Sequence, residues 1–425
     1  MNYRSDLSAG IDFGTSNSLA AVCDGNRVEL CPLDPHNSDP HLLPSLLYFS
    51  RYGWKRIGRQ AVSASQTDLD GRFIRSLKAS LPECTPEDRF RIIQTLYTLP
   101  QLVGLVFERI AERIVERWGA LPARVTIGRP VRFSGNPDVD AACQGMLHEA
   151  AERGGFRGIS FLTEPEAAAR YHFSLGGFED VRHAMVFDFG GGTLDLSVAR
   201  VSPDGSHRIL STAGAAIGGS LLDRIIFEGK LLHHLGSGRK WGQNRDLPHS
   251  LFNRLINPDE NWRISDSEYA REISEIVRAS VACRTESREL RQLQEVVSRR
   301  LGASLFQSVE ASKLELSRVA ETEIAFDADR VRIREKLDRG DLFSLLTPQM
   351  DEIRVLIQRV LDGAGVERGE IDRVLLAGGS SGLLCTQELL QQMFGSERVP
   401  MRQDLFTSIA SGLALHSAMT PAGAV

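Results

Sequence analysis

The sequence contains no run approaching the ~20 consecutive apolar residues that a membrane-spanning helix requires, and its first eight residues are polar where a secretory signal would be apolar. Both absences lead to an expected cytoplasmic location without membrane contact. Cysteine is sparse, and Cys23, Cys31, Cys84, Cys143, Cys283 and Cys385 form no CxxC pair, which argues for reduced thiols over disulfides or a zinc site. There is no excess of positive charge either. The 50 Lys and Arg against 55 Asp and Glu leave −5, so nothing electrostatic favours nucleic acid or an anionic membrane surface. Histidine is scarce as well, and the adjacent His233-His234 lacks the spacing of helix-face ligands, so a solvated pair is expected there. What is present is an ordinary globular composition, 42% hydrophobic and 25% charged, in 425 residues. That is more than one core usually holds, so two lobes are expected.

Against those absences stands one glycine-rich stretch, Ala184-Met-Val-Phe-Asp188-Phe-Gly190-Gly191-Gly192-Thr193-Leu-Asp195-Leu-Ser-Val198. Its two ends read as strands with the glycines at the bend. Glycine permits φ > 0 and lets backbone N–H groups approach an anion closely, so such a turn can touch a phosphate. Asp188 and Asp195 add carboxylates, which repel polyphosphate unless a cation lies between. Mg²⁺, a hard ion that prefers oxygen ligands, is the expected one. A tight hairpin without ligand is the plainer alternative. A second copy tips the balance, because Gly10-Ile11-Asp12-Phe13-Gly14-Thr15-Ser16-Asn17-Ser18 repeats the strand, the Asp-Phe-Gly and the hydroxyl residues. Two such hairpins imply a duplicated α/β fold holding one nucleotide from both sides.

Along the rest of the chain, residues 28–31 and 43–49 each read as a strand, the second with Pro44 near its start. Lys78 lies in 71–82, where a solvated basic turn is an equal alternative to a functional role. From Pro100 to Trp118 the spacing of Val103, Val106, Ile110, Ile114 and Trp118 predicts an amphipathic helix with a core face. A strand over 125–130 precedes a helix over 138–153, closed by Gly154-Gly155. Residues 159–169 read as a strand running into a helix, with Glu164 at the strand's carboxyl end and Pro165 in the first turn, where α/β sheets gather ligands. After a strand over 209–212, Gly218-Gly219 leads into a helix and offers an anion site by dipole and free amides. Residues 233–308 are the least orderly, with Trp241 and Trp262 ahead of long helices over 271–300 marked by Ile273, Ile276, Val277, Val281, Leu290, Leu293, Val296 and Val297. Alternating Arg and Glu there read as a solvated face. Residues 309–317 continue helically and place Glu310, Lys313 and Ser317 on one face, with a surface ion pair as the plain reading. A helix around 349–361, a strand into the turn Gly378-Gly379-Ser380, a helix over 387–394 and a closing helix opened by Asp404 complete the chain.

Taken in order, Gly10 to Ser18, Glu164 to Ala169, Asp188 to Asp195, Glu310 to Ser317 and Ala377 to Ser381 resemble the nucleotide-binding domain of the seventy-kilodalton heat-shock chaperones, in the superfamily of actin and the sugar kinases. Ile127-Gly-Arg-Pro130 is similar to a stand-alone branch of that family. The resemblance implies a duplicated actin-like ATPase fold, with lobes at 1–180 and 181–425 around a central nucleotide cleft and an enlarged helical subdomain at about 224–325. It implies ATP or ADP and Mg²⁺ as cofactors. Asp12 and Asp188 match the carboxylates that hold the ion through water, and Gly14, Thr15, Ser16 with Gly190, Gly191, Gly192 and Thr193 match the two phosphate loops, beside the glycines at 218 and 219. Lys78 falls on the catalytic lysine, Glu164 on the acid coupled to the attacking water, and Asp195 on a supporting carboxylate, with Asp188 and Thr193 completing the catalytic set. Glu310, Lys313 and Ser317 match the helix that holds ribose and adenine, and Gly378, Gly379 and Ser380 the loop facing it. The family sandwiches the adenine between two arginines; Leu314 and Gly382 stand in those places, so weak and poorly base-selective binding is expected.

The function expected on this resemblance is an ATP-binding, slowly ATP-hydrolysing chaperone homologue of the heat-shock type, tied to protein folding. Its partners are the nucleotide and, beyond it, protein clients or co-chaperones. No linker or β-rich peptide-binding domain is expected after the final helix. A nucleotide-binding scaffold with negligible turnover is the alternative. A small-molecule kinase would need a carboxylate base facing an acceptor hydroxyl, for which no loop Asp shows a signature, and an actin-like polymer is the remotest reading.

Overall fold

In the computed structural model both Asp-Phe-Gly segments close a strand and turn back into an antiparallel neighbour. The structure describes residues 2–419 other than 26, 69–70, 179, 203–205, 242–244, 257–265, 285–286, 300, 329 and 400–404, so Trp262 and Asp404 lie outside the described residues. The first hairpin pairs Tyr3–Phe13 with Asn17–Asp24 and sets Asp12 opposite Leu19. The second pairs His183–Phe189 with Leu194–Val201 and sets Asp188 opposite Asp195. Each hairpin gains an antiparallel third strand on one side, Arg27–Leu30 or His207–Ala215, and a parallel strand on the other, Leu121–Arg129 or Arg373–Ala377. The first sheet extends by one more parallel strand, Ile159–Thr163. The fold is therefore mixed α/β, and the repeated Asp-Phe-Gly marks a repeated sheet topology. Every residue of His183–Phe189 is buried, Asp188 included, as in strands covered on both faces.

Two helices carry the core between these sheets. Thr407–Met419 lies against the first sheet, Glu164–Ser174 lies against the second, and the helices meet. Small residues permit the approach. A Cβ on Gly412 would stand 1.8 Å from the Ala167 carbonyl oxygen, and one on Gly10 would stand 2.3 Å from the Ala410 carbonyl oxygen. Ala167, Ala168 and Ala169, fully buried, share one cluster with Val186, Leu375, Ile409 and Leu413. Because Thr407–Met419 is covered on almost every side, it carries no amphipathic stripe. Leu99–Trp118 shows the opposite case. Thr98 and Gln101 form a capping box at its start, Gly119 at φ 78° ends it, and Val103, Val106, Ile110 and Ile114 face the core. Among the described residues no helix is long and apolar enough to cross a membrane.

The single strand expected over 43–49 is instead two. Leu43–Pro44 pairs with Asn17–Ser18, whereas Leu47–Phe49 joins Lys55–Ile57 and Arg72–Ile74 in a separate sheet. The break falls at Ser45, whose N–H donates to the Ser16 carbonyl (2.9 Å) and whose hydroxyl donates to that of Gly14 (2.8 Å). Proline before it withholds the N–H that a continuing ladder would need.

By internal packing the chain forms two compact units, Met1–Ala64 with Gly71–Gly219 and Met350–Val425, and Ser65–Asp70 with Ser220–Gln349. Both large sheets belong to the first. The second holds the helices Ser250–Ile256, Asp266–Ala282, Arg288–Ser298 and Gly302–Glu315, followed by a hairpin of Glu321–Ala328 with Val331–Asp338 that no sequence signal announced. Of the residues expected to mark its helices, Ile273, Ile276, Val277, Leu290, Leu293, Val296 and Val297 are buried, while Val281 is 52% exposed. The arginines alternate with acids on the outer face, as Arg271 does with Glu275. The last of these helices ends at Glu315, so exposed Ser317 lies past it rather than on one helical face with Glu310 and Lys313.

Candidate functional site

Four glycine turns come together within the first unit. A Cβ on Gly191 would stand 2.4 Å from Ser16 Oγ, one on Gly192 2.5 Å from Thr15 Oγ1, and one on Gly218 2.4 Å from the Gly191 carbonyl oxygen. Gly378, at φ 73°, lies under the second hairpin, where a Cβ would meet the Phe189 carbonyl at 2.5 Å and Asp188 Oδ1 at 2.7 Å. At Gly218 and Gly378 the nearest atoms met are backbone, so no side chain fits there, whereas at Gly191 and Gly192 they are the hydroxyls of Ser16 and Thr15. The Gly190 carbonyl accepts from the Gly219 N–H and from the Ser380 hydroxyl, both at 3.0 Å, so three turns share one acceptor. Gly379 packs against the Phe406 ring. The first turn is held by Ser45, fully buried, through the Gly14 bond already described and a 2.9 Å contact with Ser18 Oγ. Ser45 was missed in the sequence, where a serine among leucines carries no mark of that role.

The charged residues of this unit are set against burial. Lys78 and Glu164 form an ion pair of 2.5 Å and are only 8% and 6% exposed, so Lys78 does not belong to a solvated turn. Burial pushes the Asp12 carboxyl up to about 7, with the Glu164 charge adding and Lys78 opposing. Burial and Glu164 likewise raise Asp195 to about 7, against the Val131 amide and the Thr193 hydroxyl. Asp188 is driven well above the usual carboxylate range by burial, Glu164, Asp195 and Asp12. Burial alone would depress the Lys78 ammonium, but Glu164, Asp12 and Asp188 outweigh it and raise it. One ammonium thus faces four carboxyl groups, and burial, with too little positive charge to offset it, favours the protonated forms of Asp12, Asp188 and Asp195. Asp195 Oδ1 accepts from the Val131 N–H at 2.9 Å, while its buried Oδ2 makes no hydrogen bond. A hard cation suits this set: it would supply the missing positive charge to an all-oxygen donor group, with Asp12 and Asp188 as the residues to hold it. Gly128 also contributes, since a Cβ there would stand 3.3 Å from Glu164 Cγ. Its residue type was visible within Ile-Gly-Arg-Pro, but its role as room for Glu164 was not.

Residues 279–422 match the family model described as Hsp70 protein. The Chaperone protein DnaK of Elusimicrobium minutum is 24% identical over 417 residues, which cover 96% of this chain and 57% of that protein. The Chaperone protein HscA homolog of Acidithiobacillus ferrooxidans is 26% identical over 412 residues, 92% of this chain and 55% of that one. For the Chaperone protein DnaK of Thermus thermophilus the figures are 23% over 418 residues, 92% and 57%. The chain is similar to the Hsp70 family over most of its length. It spans little more than half the length of the curated relatives it matches.

The residues that the resemblance assigns to ribose and adenine lie in the second unit, on or just past the Gly302–Glu315 helix. Lys313 is buried and pairs at 2.8 Å with Asp223 of the preceding glycine-led helix, so it is neither a surface residue nor a partner of Glu310. Asp223 carries no mark of that role in the sequence. Glu310 is half-buried. Ser312, one residue before Lys313, donates its hydroxyl to the Glu323 carbonyl at 3.3 Å and so ties the helix to the hairpin. Leu314 is 52% exposed, and Gly382 sits where a Cβ would meet Leu405 Cδ1 at 2.9 Å.

Proposed function

We propose that this chain binds ATP with Mg²⁺ at the glycine turns of the first unit and hydrolyses it slowly, as a nucleotide-switched chaperone homologue of the Hsp70 type. The observation that carries the reading is the buried set of Asp12, Glu164, Asp188 and Asp195 around one Lys78, beside turns in which Gly218 and Gly378 press against backbone. Mg²⁺, when bound, neutralises charge on the phosphates. Asp12 and Asp188, one from each Asp-Phe-Gly hairpin, would hold the ion, with 1–180 and 181–425 read as the two lobes around the nucleotide. Backbone N–H groups of Gly14 to Ser16, Gly190 to Thr193 and the helix start at Gly218-Gly219 orient the phosphate chain. Glu164 accepts a hydrogen bond from the attacking water and takes its proton. Asp195, anchored by the Val131 amide, keeps its second oxygen for the same water, and Lys78 balances charge spreading over the γ-phosphoryl group. Gly378 to Ser380 would border the nucleotide, and Glu310, Lys313 and Ser317 are the residues the resemblance assigns to its ribose. Clients or co-chaperones in the cytoplasm are the partners of such a switch.

A second reading, a nucleotide-binding scaffold with negligible turnover, has one observation in its favour. Lys78 and Glu164 are closed on each other at 2.5 Å, and that pair must open before either can serve a reaction. Calorimetric titration with ATP, with and without Mg²⁺, followed by turnover of Lys78→Ala and Glu164→Gln separates the two. The ATPase reading expects Mg²⁺-dependent binding retained in both variants and hydrolysis falling by roughly 100-fold. Binding without turnover in the unmodified protein selects the scaffold, and absence of Mg²⁺-dependent binding removes both.

A further inference from the structure

His233 and His234 stand in a short 3₁₀ turn, Leu232–Leu235, closed by Gly236 at φ 95°. Two adjacent histidines suggest a solvated pair, but folding adds a third member. Glu335, on the hairpin strand Val331–Asp338, brings its Oε2 to 2.9 Å from His234 Nε2 and 3.5 Å from His233 Nε2. One ligand atom from each of the three lies within 4.8 Å of the others, and no other such group of His, Cys, Asp and Glu occurs among the described residues. A zinc ion with bonds of about 2.0–2.2 Å to imidazole and carboxylate sets its tetrahedral ligands about 3.4 Å apart, so modest side-chain rotations would complete the site. The frame is rigid where it matters. Gln292, buried on Arg288–Ser298, donates to the His234 carbonyl at 2.9 Å and accepts from the Arg332 N–H at 3.2 Å, which locks turn, helix and hairpin together. The side chains of His234 and Glu335 are 24% and 22% exposed and that of His233 is 56% exposed, so an ion can enter from solvent.

We propose that His233, His234 and Glu335 bind a divalent cation of the zinc class, with water in the fourth position, and that this ion fastens the turn to the hairpin. Two imidazoles and one carboxylate suit zinc, nickel or copper; magnesium and calcium require oxygen ligands and compete poorly. The test is calorimetric titration of the full chain, stripped with chelator and free of nucleotide, with Zn²⁺ alone, repeated with Co²⁺ to read the absorption of a tetrahedral centre. One saturable site is expected, retained in excess Mg²⁺. Affinity should fall at least about tenfold in His234→Ala and in Glu335→Gln, with loss of the Co²⁺ band. His41→Ala, a change at an exposed histidine beside Asp39 in the first unit, should leave both unchanged. Circular dichroism checks folding, and if either substitution unfolds the chain, His233→Ala at the most exposed ligand gives the same reading. No saturable Zn²⁺ binding in the unmodified chain, or equal affinity in the unmodified chain and the folded ligand variants, overturns the proposal.

Discussion

Asp12→Asn removes one of the four acids crowded around Lys78 and replaces it with a neutral side chain of nearly the same shape. Asp12 is 9% exposed, and its carboxyl is raised from 3.8 to about 7. At 1.36 kcal/mol per unit, ionising it inside the fold costs about 4 kcal/mol relative to ionising it in the unfolded chain. The folded state holds the proton more tightly, so this group's contribution is complete below the unfolded value of 3.8 and is lost as pH rises through about 7. Asp195 acts in the same direction over the same window. Without nucleotide or Mg²⁺ the unmodified protein should therefore lose stability between about pH 4 and 8, and Asp12→Asn should lose less. The variant should be the more stable by about 2–4 kcal/mol at pH 8, with the gap closing toward pH 4. Urea unfolding in chelator at several pH values measures this directly. Adding Mg²⁺ and ATP should reverse the ranking, because the ligand then stabilises the unmodified protein more than the variant. Identical pH slopes in the two proteins would refute the reasoning, since they would mean that Asp12 does not ionise against burial.

Gly412→Ala places a methyl group where the Ala167 carbonyl already stands 1.8 Å from an added Cβ, so the two core helices must separate. A loss of roughly 1–3 kcal/mol is expected by chemical denaturation, and an unchanged midpoint would show that the helices are free to shift. Lys313→Met removes the cation paired with buried Asp223 and should cost about 3–5 kcal/mol, most of it recovered in the double variant Lys313→Met with Asp223→Leu. Failure of the second change to restore stability would mean that Lys313 acts through packing and not through its partner. Leu314→Arg together with Gly382→Arg should tighten ATP by about 1–3 kcal/mol if stacking on the base is the missing contribution. Competitive titration of ATP against GTP on the unmodified protein checks the same point, since a strong preference for ATP would place base recognition elsewhere.

Much of the site is legible because its parts are local. Asp12, Gly14, Asp188, the glycines from 190 to 192 and Glu164 each stand at the end of a strand, and a strand, a glycine turn and the next element fall within a dozen residues of sequence. The amphipathic stripe of 99–118 was equally plain because that helix has one covered face. Thr407–Met419 was harder to place, since a helix covered on nearly all sides has no stripe to show which sheet it joins.

Sequence by itself determined the repeated hairpin, the residue types at the turns and hence the class of ligand such turns can hold, because backbone freedom at glycine and the reach of a carboxylate are properties of the residues themselves. Only the tertiary structure decided the partners. Lys78 meets Glu164 from 86 positions away, Lys313 is claimed by Asp223, Ser45 splits an expected strand to hold the first turn, and Glu335 converts two neighbouring histidines into a three-ligand cluster. None of these has a local signature. A lone Lys, Ser or Glu can serve many partners, and the energy that selects one comes from burial, which exists only once distant segments have been packed together.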